Sequence, residues 1–275
     1  MKVHISVDME GIACVTHGDH TKLEGVEYEM ARKWMTAEVN AAVEGALECG
    51  ATEIVVADSH GHMRNLLPDE LNEKVLLVRG SPRRLTMMEG IDSSFDASFM
   101  IGYHSMAGTH HGILAHTYLG RSVYALRLNG LTVGEPGFNA AIAGHFGVPV
   151  ALVTGDDTLA AEVNNIMPAT EQTIVKWVIS NNAAKNLTPK ESQKKIKAGA
   201  VNALKRLNEI KPFVVETPVK FDVDFMLPIS ADIASDIPGV ELVNGRTLSY
   251  VGKDMLDVVK IWRLIINASL TAFAI

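Results

Sequence analysis

The chain has 275 residues, 47% of them hydrophobic and 21% charged, with a net charge of −7. That is the composition of an ordinary globular protein with ample apolar material for a core, arranged as one large domain or two small ones. The acidic balance argues against a nucleic-acid binder, which would carry a basic patch or stripe.

Residues 1–10 open with an alternating run, Val3, Ile5 and Val7 against Lys2, His4 and Ser6, and then break into Asp8-Met9-Glu10-Gly11. This reads as a strand ending in two carboxylates. Asp8 and Glu10 are two apart, so on an extended backbone both face one side. Two such carboxylates repel unless a cation lies between them. A His- and Gly-rich loop follows, with His17 and His20 in it. Residues 28–49 read as a helix through Met30, Trp34, Val39, Val43 and Leu47, with Gly50 as its stop. Glu53 to Ala57 reads as a second strand, ending in Asp58-Ser59-His60-Gly61-His62.

A polar connection at 66–73 and a short strand at 75–78 come next, then a short helix beginning near Leu85, Met87 and Met88. Ala97 to Ile101 reads as a buried strand running into Gly102-Tyr103-His104. His110, His111 and His116 lie in the loop beyond it. Residues 123–128 and 131–133 flank Asn129-Gly130, the preferred type I′ pair, and predict a hairpin. Gly134-Glu135-Pro136-Gly137 leads to a small-residue helix at 138–146 and a buried strand at 149–154. Asp156 and Asp157 are expected to cap the next helix.

The second half predicts helices at 159–166, 189–207 and 254–275, a long alternating strand at 213–225, and short strands at 240–243 and 247–251. Residues 174–179 fit strand or helix. The expectation is an α/β fold with a mainly parallel central sheet flanked by helices and a smaller C-terminal α+β portion. A boundary near residue 160 would separate a metal-binding domain, 1–160, from the remainder, 161–275, unless the chain is one domain. Cys14 and Cys49 are too few for a disulfide framework and too far apart for a CxxC site, so they read as reduced thiols of a cytoplasmic protein. The tail from Ile261 carries Arg263 and falls short of the ~18 apolar residues of a membrane span.

Asp8, Glu10, His60, His104 and Glu135 thus fall at or just beyond the ends of predicted elements, with Asp58 and His116 of suitable type nearby. Strand ends of an open α/β sheet converge on one edge, where ligands bind. Mixed histidine and carboxylate ligands suit zinc, and also manganese, cobalt or iron. Five exceed the three protein ligands of a single catalytic zinc and fit two ions sharing one carboxylate, a hydrolytic arrangement. Taken singly, each has an ordinary role: a cap for Asp8, a hydrogen-bonded structural ring for either histidine, a solvated loop acid for Glu135.

Ser6-Val7-Asp8-Met9-Glu10-Gly11, Asp58-Ser59-His60, Gly102-Tyr103-His104 and Val133-Gly134-Glu135 followed by Gly137-Phe138-Asn139-Ala140 resemble the motifs of the DppA-type D-aminopeptidases. Gly155-Asp156-Asp157, Val175-Lys176 and Lys253-Asp254-Met255 resemble that family too. The resemblance implies a binuclear zinc aminopeptidase acting on short peptides with an N-terminal D-residue, such as D-Ala-D-Ala. It implies that Asp8 bridges two ions, that Glu10 and His60 complete one site, and that His104 and Glu135 complete the other. It makes His116 the catalytic base or nucleophile. It also implies a homo-oligomer, a decamer of two stacked pentameric rings. Lys176 and Asn139 could hold substrate, though a surface charge and a helix-start residue describe them as well.

Two other functions compete. A metal-dependent phosphoesterase would use similar ligands, with Arg64, Arg83 and Arg84 to meet phosphate. A non-catalytic metal-binding or assembly protein would use the same residues only to staple loops.

Overall fold

The alternating N-terminus forms β1 (Lys2–Val7), with Val3, Ile5 and Val7 on one face in a hydrophobic core and the buried polar His4 and Ser6 on the other. The computed structural model describes residues 1–273. After β1 come α1 (Gly18–Thr21), α2 (Tyr28–Glu48), β2 (Glu53–Asp58), β3 (Val75–Val78) and β4 (Ala97–Ile101). Then follow β5 (Val123–Leu128), β6 (Leu131–Val133), α3 (Glu135–His145), β7 (Val150–Asp156), α4 (Asp157–Ile166), β8 (Glu171–Ser180), β9 (Ala183–Asn186) and α5 (Pro189–Lys205). The chain closes with β10 (Val219–Phe225), α6 (Pro228–Ser235), β11 (Glu241–Asn244), β12 (Thr247–Gly252) and α7 (Met255–Thr271).

Seven strands form a sheet in the order β3-β2-β1-β4-β7-β8-β9, parallel except for the β8–β9 pair. From β1 the chain moves outward through β2 to β3, then crosses back to place β4 on the other side of β1. The order therefore reverses at β1 and β4, the kind of switch point where open α/β sheets bind ligands. Register places Val7 level with Asp58 on one side and Ile101 on the other, so the three strands end together.

Val3, Ile5 and Val7 join Met35, Val39 and Val43 of α2 and Ile196 and Ala200 of α5 in one core. The opposite face of the sheet contributes Val55, Met100 and Val153 to a second core, built with α3, α7 and a five-stranded antiparallel sheet, β11-β12-β10-β5-β6. There Phe138, Phe221 and Trp262 meet edge-on or tilted, with ring centroids 5.7–6.2 Å apart. Burying each such ring contributes roughly 1.5–3 kcal/mol. Each sheet draws strands from both halves of the chain: β5 and β6 lie in the antiparallel sheet, β8 and β9 in the parallel one.

The expected α/β architecture is what the chain adopts, with local differences. Residues 174–179 are strand. The strand expected over 213–225 begins only at Val219. Phe213 and Val215 do alternate inward against the core, but the Phe213 carbonyl lies close against Gly144 of α3 instead of pairing in a ladder. A period of two was therefore met without a sheet partner. β9 and α6 are additional short elements. The helix expected over 254–275 runs to Thr271, and its last two expected residues lie outside the described ones. Asp156 caps α4 by accepting from the Leu159 amide, as expected; Asp157 instead accepts from the Val178 amide. Among the described residues no helix is long and apolar enough to cross a membrane.

Candidate metal centre

Three strand exits and one helix start build the site. Past β1 the backbone stays tight against the exit of β4, with the Gly11 amide donating to the Gly102 carbonyl at 2.7 Å. An added Cβ at Gly11 would sit 1.8 Å from the Tyr103 carbonyl oxygen, so only glycine fits there. This contact brings the loop of Asp8 and Glu10 beside that of His104. His60 follows β2, and Glu135 is the first residue of α3. Asp8, Glu10, His104 and Glu135 are all at most 5% exposed.

Their polar atoms converge. His60 Nδ1 lies 3.1 Å from Asp8 Oδ1 and 2.9 Å from Glu10 Oε2. His104 Nε2 lies 3.3 Å from Asp8 Oδ2 and 3.4 Å from Glu135 Oε1. The two oxygens of Asp8 therefore turn to different histidines. His116 stacks on His104 with centroids 4.2 Å apart, and its Nε2 is 3.9 Å from Glu135 Oε1. Two groups of potential ligands result, Asp8-Glu10-His60 and His104-His116-Glu135.

The other nitrogen of each ring is committed to a backbone carbonyl. His60 Nε2 meets Thr21 O at 2.8 Å, His104 Nδ1 meets Ser105 O at 2.9 Å, and His116 Nδ1 meets Leu114 O at 2.9 Å. A carbonyl only accepts, so each of those nitrogens carries the proton, and the neutral ring's lone pair points the other way. Such outer hydrogen bonds are what orient metal-ligating histidines.

Charge is held under tension here. Burial and then Glu10 push the Asp8 carboxyl up to about 6. Burial disfavours charge on Glu10 also, but His60 beside it holds its carboxyl well below the usual range. Burial opposes protonation of His104, yet Glu135 raises the ring to about 10. Asp8 Oδ2, Glu10 Oε2 and His104 Nε2 are buried with no hydrogen-bond partner, close to their neighbours but poorly aligned with them. A cation resolves this. Tetrahedral ligands at ~2.0–2.1 Å from a zinc ion stand about 3.3 Å apart, close to the spacings found. The donor set fits zinc.

Beneath the candidate ligands runs a buried polar chain. Ser6 Oγ contacts the Tyr103 hydroxyl at 2.6 Å, Asn139 Nδ2 donates to Tyr103, and the Tyr118 hydroxyl donates to Asn139 Oδ1. The Tyr118 amide donates to Glu135 Oε1 at 2.6 Å. Over the site lies a cavity of about 320 Å³, walled by Met63, Leu119, Trp262 and Ile266 among others. The sequence had given no sign of the α7 wall or of the orienting carbonyls, which have no side-chain signature; Tyr103 stood inside a recognised motif.

The remaining candidates lie elsewhere. Asp58 is spent accepting from the Asn65 and Leu66 amides and the Asn65 side chain, closing the turn after β2. Asn139 is buried within α3 rather than starting it. Lys176 is not a surface charge; it is fully buried. His62, His110 and His111 are exposed, and His17 caps α1. Arg83 donates to the Gly80 and Val78 carbonyls, and neither arginine nor lysine lines the cavity, which removes the phosphate clamp of a phosphoesterase.

The site now has relatives to be set beside. The chain is 33% identical to a D-aminopeptidase of Bacillus subtilis (strain 168) over 258 residues, covering 94% of this chain and 93% of that protein. Its fold superposes on the solved Zn-dependent D-aminopeptidase DppA from Bacillus subtilis, described as a self-compartmentalizing protease, with a TM-score of 0.96, 32% identity and 98% of each chain covered. With the D-aminopeptidase family (peptidase M55) matched across residues 1–264, the chain belongs to that family and is a peptidase.

Proposed function

We propose that this chain is a zinc-dependent aminopeptidase that holds two ions and hydrolyses short peptides with an N-terminal D-residue, D-Ala-D-Ala among them. The observation that carries the two-ion reading is the divergence of the Asp8 oxygens, one toward His60 and one toward His104. Asp8 would be shared, with Glu10 and His60 completing one half and His104 and Glu135 the other. When bound, such ions supply polarisation of a carbonyl and a lowered pKa for water. The zinc dependence and D-specificity of the Bacillus subtilis relatives support the same reading.

His116 moves the proton. With Nδ1 committed to Leu114 O, its lone pair sits on Nε2 at the cavity wall. That nitrogen takes a proton from the attacking water and returns it to the departing amine. Glu135 Oε1 lies 3.9 Å from that nitrogen. Met63, Leu119 and Trp262 give the cavity an apolar wall beside the candidate ligands.

One observation favours a second role: His116 also lies within ligand reach of His104 and Glu135. His116→Ala separates the two. As a base, its loss abolishes hydrolysis of D-aminoacyl peptides while both ions stay bound. If one ion leaves with the side chain, His116 is a ligand. Full metal loading in the wild type without turnover of any peptide refutes the enzymatic reading.

We also infer assembly into a closed homo-oligomer, which the self-compartmentalizing relative supports, with the two stacked pentameric rings that the family resemblance implies. Elution at monomer mass in size-exclusion chromatography refutes it.

A further inference from the structure

We infer that Lys176 is a positioning residue for the Glu10–His60 half of the metal centre, acting through the backbone of the loop that carries Glu10. This rests on the metal-binding reading above.

Lys176 lies on β8, far from Glu10 in sequence, and is 0% exposed. An ammonium has three hydrogens to donate. Lys176 Nζ gives them to a single loop: to the Glu10 carbonyl, the Ile12 carbonyl at 3.1 Å and the Val15 carbonyl at 2.6 Å. Residues 8–15 are almost wholly buried yet form neither helix nor strand. Buried carbonyls outside regular structure need partners, and here one side chain supplies three.

The same segment is pinned from other sides. Glu38 of α2 accepts from the Ala13 amide at 3.1 Å, and Asn186 of β9 accepts from the Cys14 amide at 2.9 Å. The β8–β9 hairpin therefore grips the loop with two side chains; burial disfavours the charge on Lys176, and Asp156, Glu38 and Glu10 only partly offset that. Lys176 does not line the cavity, so substrate does not touch it. Its leverage is on geometry: the Glu10 carbonyl that it holds belongs to the residue whose carboxylate faces His60 Nδ1 at 2.9 Å.

The test is zinc titration of metal-free wild type and Lys176→Met, following stoichiometry and affinity against a chromogenic chelator, with thermal unfolding in parallel. Losing an outer partner of a ligand lowers metal affinity ~10–100-fold. In K176M one ion should weaken by that factor while the other binds as in the wild type, and excess zinc should restore turnover. Wild-type affinity for both ions in a less stable K176M overturns the inference and leaves Lys176 a purely structural residue. If K176M does not fold, Lys176→Gln, which keeps two donors without the charge, carries the same expectation at smaller amplitude, and unchanged affinities there overturn it equally. Should the wild type bind a single ion, the two-ion reading fails, and Lys176 stands or falls on that ion's affinity.

Discussion

Substituting Gly11 by alanine should separate the two halves of the proposed metal centre. The added Cβ would stand 1.8 Å from the Tyr103 carbonyl oxygen and 2.5 Å from the Gly102 carbonyl carbon, all backbone that no rotamer change can relieve. Real Cβ contacts stay beyond 3.0 Å, so the β1 and β4 exits must part by 3.0 − 1.8 = 1.2 Å. Gly11 is not in the left-handed region, so the effect is steric alone. Overpacking of this kind costs about 1–3 kcal/mol of stability. The functional effect should be larger. Asp8 Oδ2 and His104 Nε2 lie 3.3 Å apart across that seam, and a displacement of ~1 Å in a catalytic constellation can cost about 100-fold in rate. The assay is kcat/KM on a D-aminoacyl peptide, with bound zinc measured on the same sample. Gly245→Ala, where a Cβ meets nothing within 4 Å, is the control. Wild-type turnover and metal content in G11A would show that the seam does not set the site.

Two further outcomes follow from named atoms. Asp8→Ala should lose both ions, because its oxygens face both histidines, whereas Glu10→Ala should weaken one; equal loss from both variants, measured as bound metal, would undo that division. The second outcome concerns His4, which is buried against Ser98 and the Glu89 carbonyl. Burial lowers its pKa from 6.5 to about 4. Between those values the unfolded chain takes a proton that the folded one refuses. The stability from His4 is therefore complete above pH 6.5 and drains away as pH falls toward 4, at up to ~1.4 kcal/mol per unit. Urea unfolding at pH 7 and pH 4.5 should show His4→Asn losing about 2–3 kcal/mol less than the wild type across that interval. Parallel losses would rule this out.

What could be read in the sequence was what recurs at short range. The β1 alternation, the Asn129-Gly130 hairpin and the Asp156 cap each depend on neighbours within a few residues, and each formed. The candidate ligands were legible because every one follows a strand or opens a helix, where side-chain type and position are informative together. Lys176 stood in a recognised motif, but its contacts were not legible, since its partners are carbonyls some 160 residues away and a carbonyl looks the same on every residue. The C-terminal helix was expected from the sequence, but that its Trp262 walls the cavity depends on where α7 docks. The 213–217 segment imitated a strand because packing against α3 imposes the same alternation that a ladder would.

His60, His104 and His116 lean on the carbonyls of Thr21, Ser105 and Leu114. A carboxylate in that position would titrate and let its ring turn in acid, but a peptide oxygen has no proton to gain over the range in which the protein folds. Nor can it be mutated away, because every residue type supplies the same oxygen. The aim of the three rings is thus written in chain length rather than in side-chain identity. It tolerates any replacement at residues 21, 105 and 114 that keeps the loops' course, and it is lost when a residue is inserted or removed beside them.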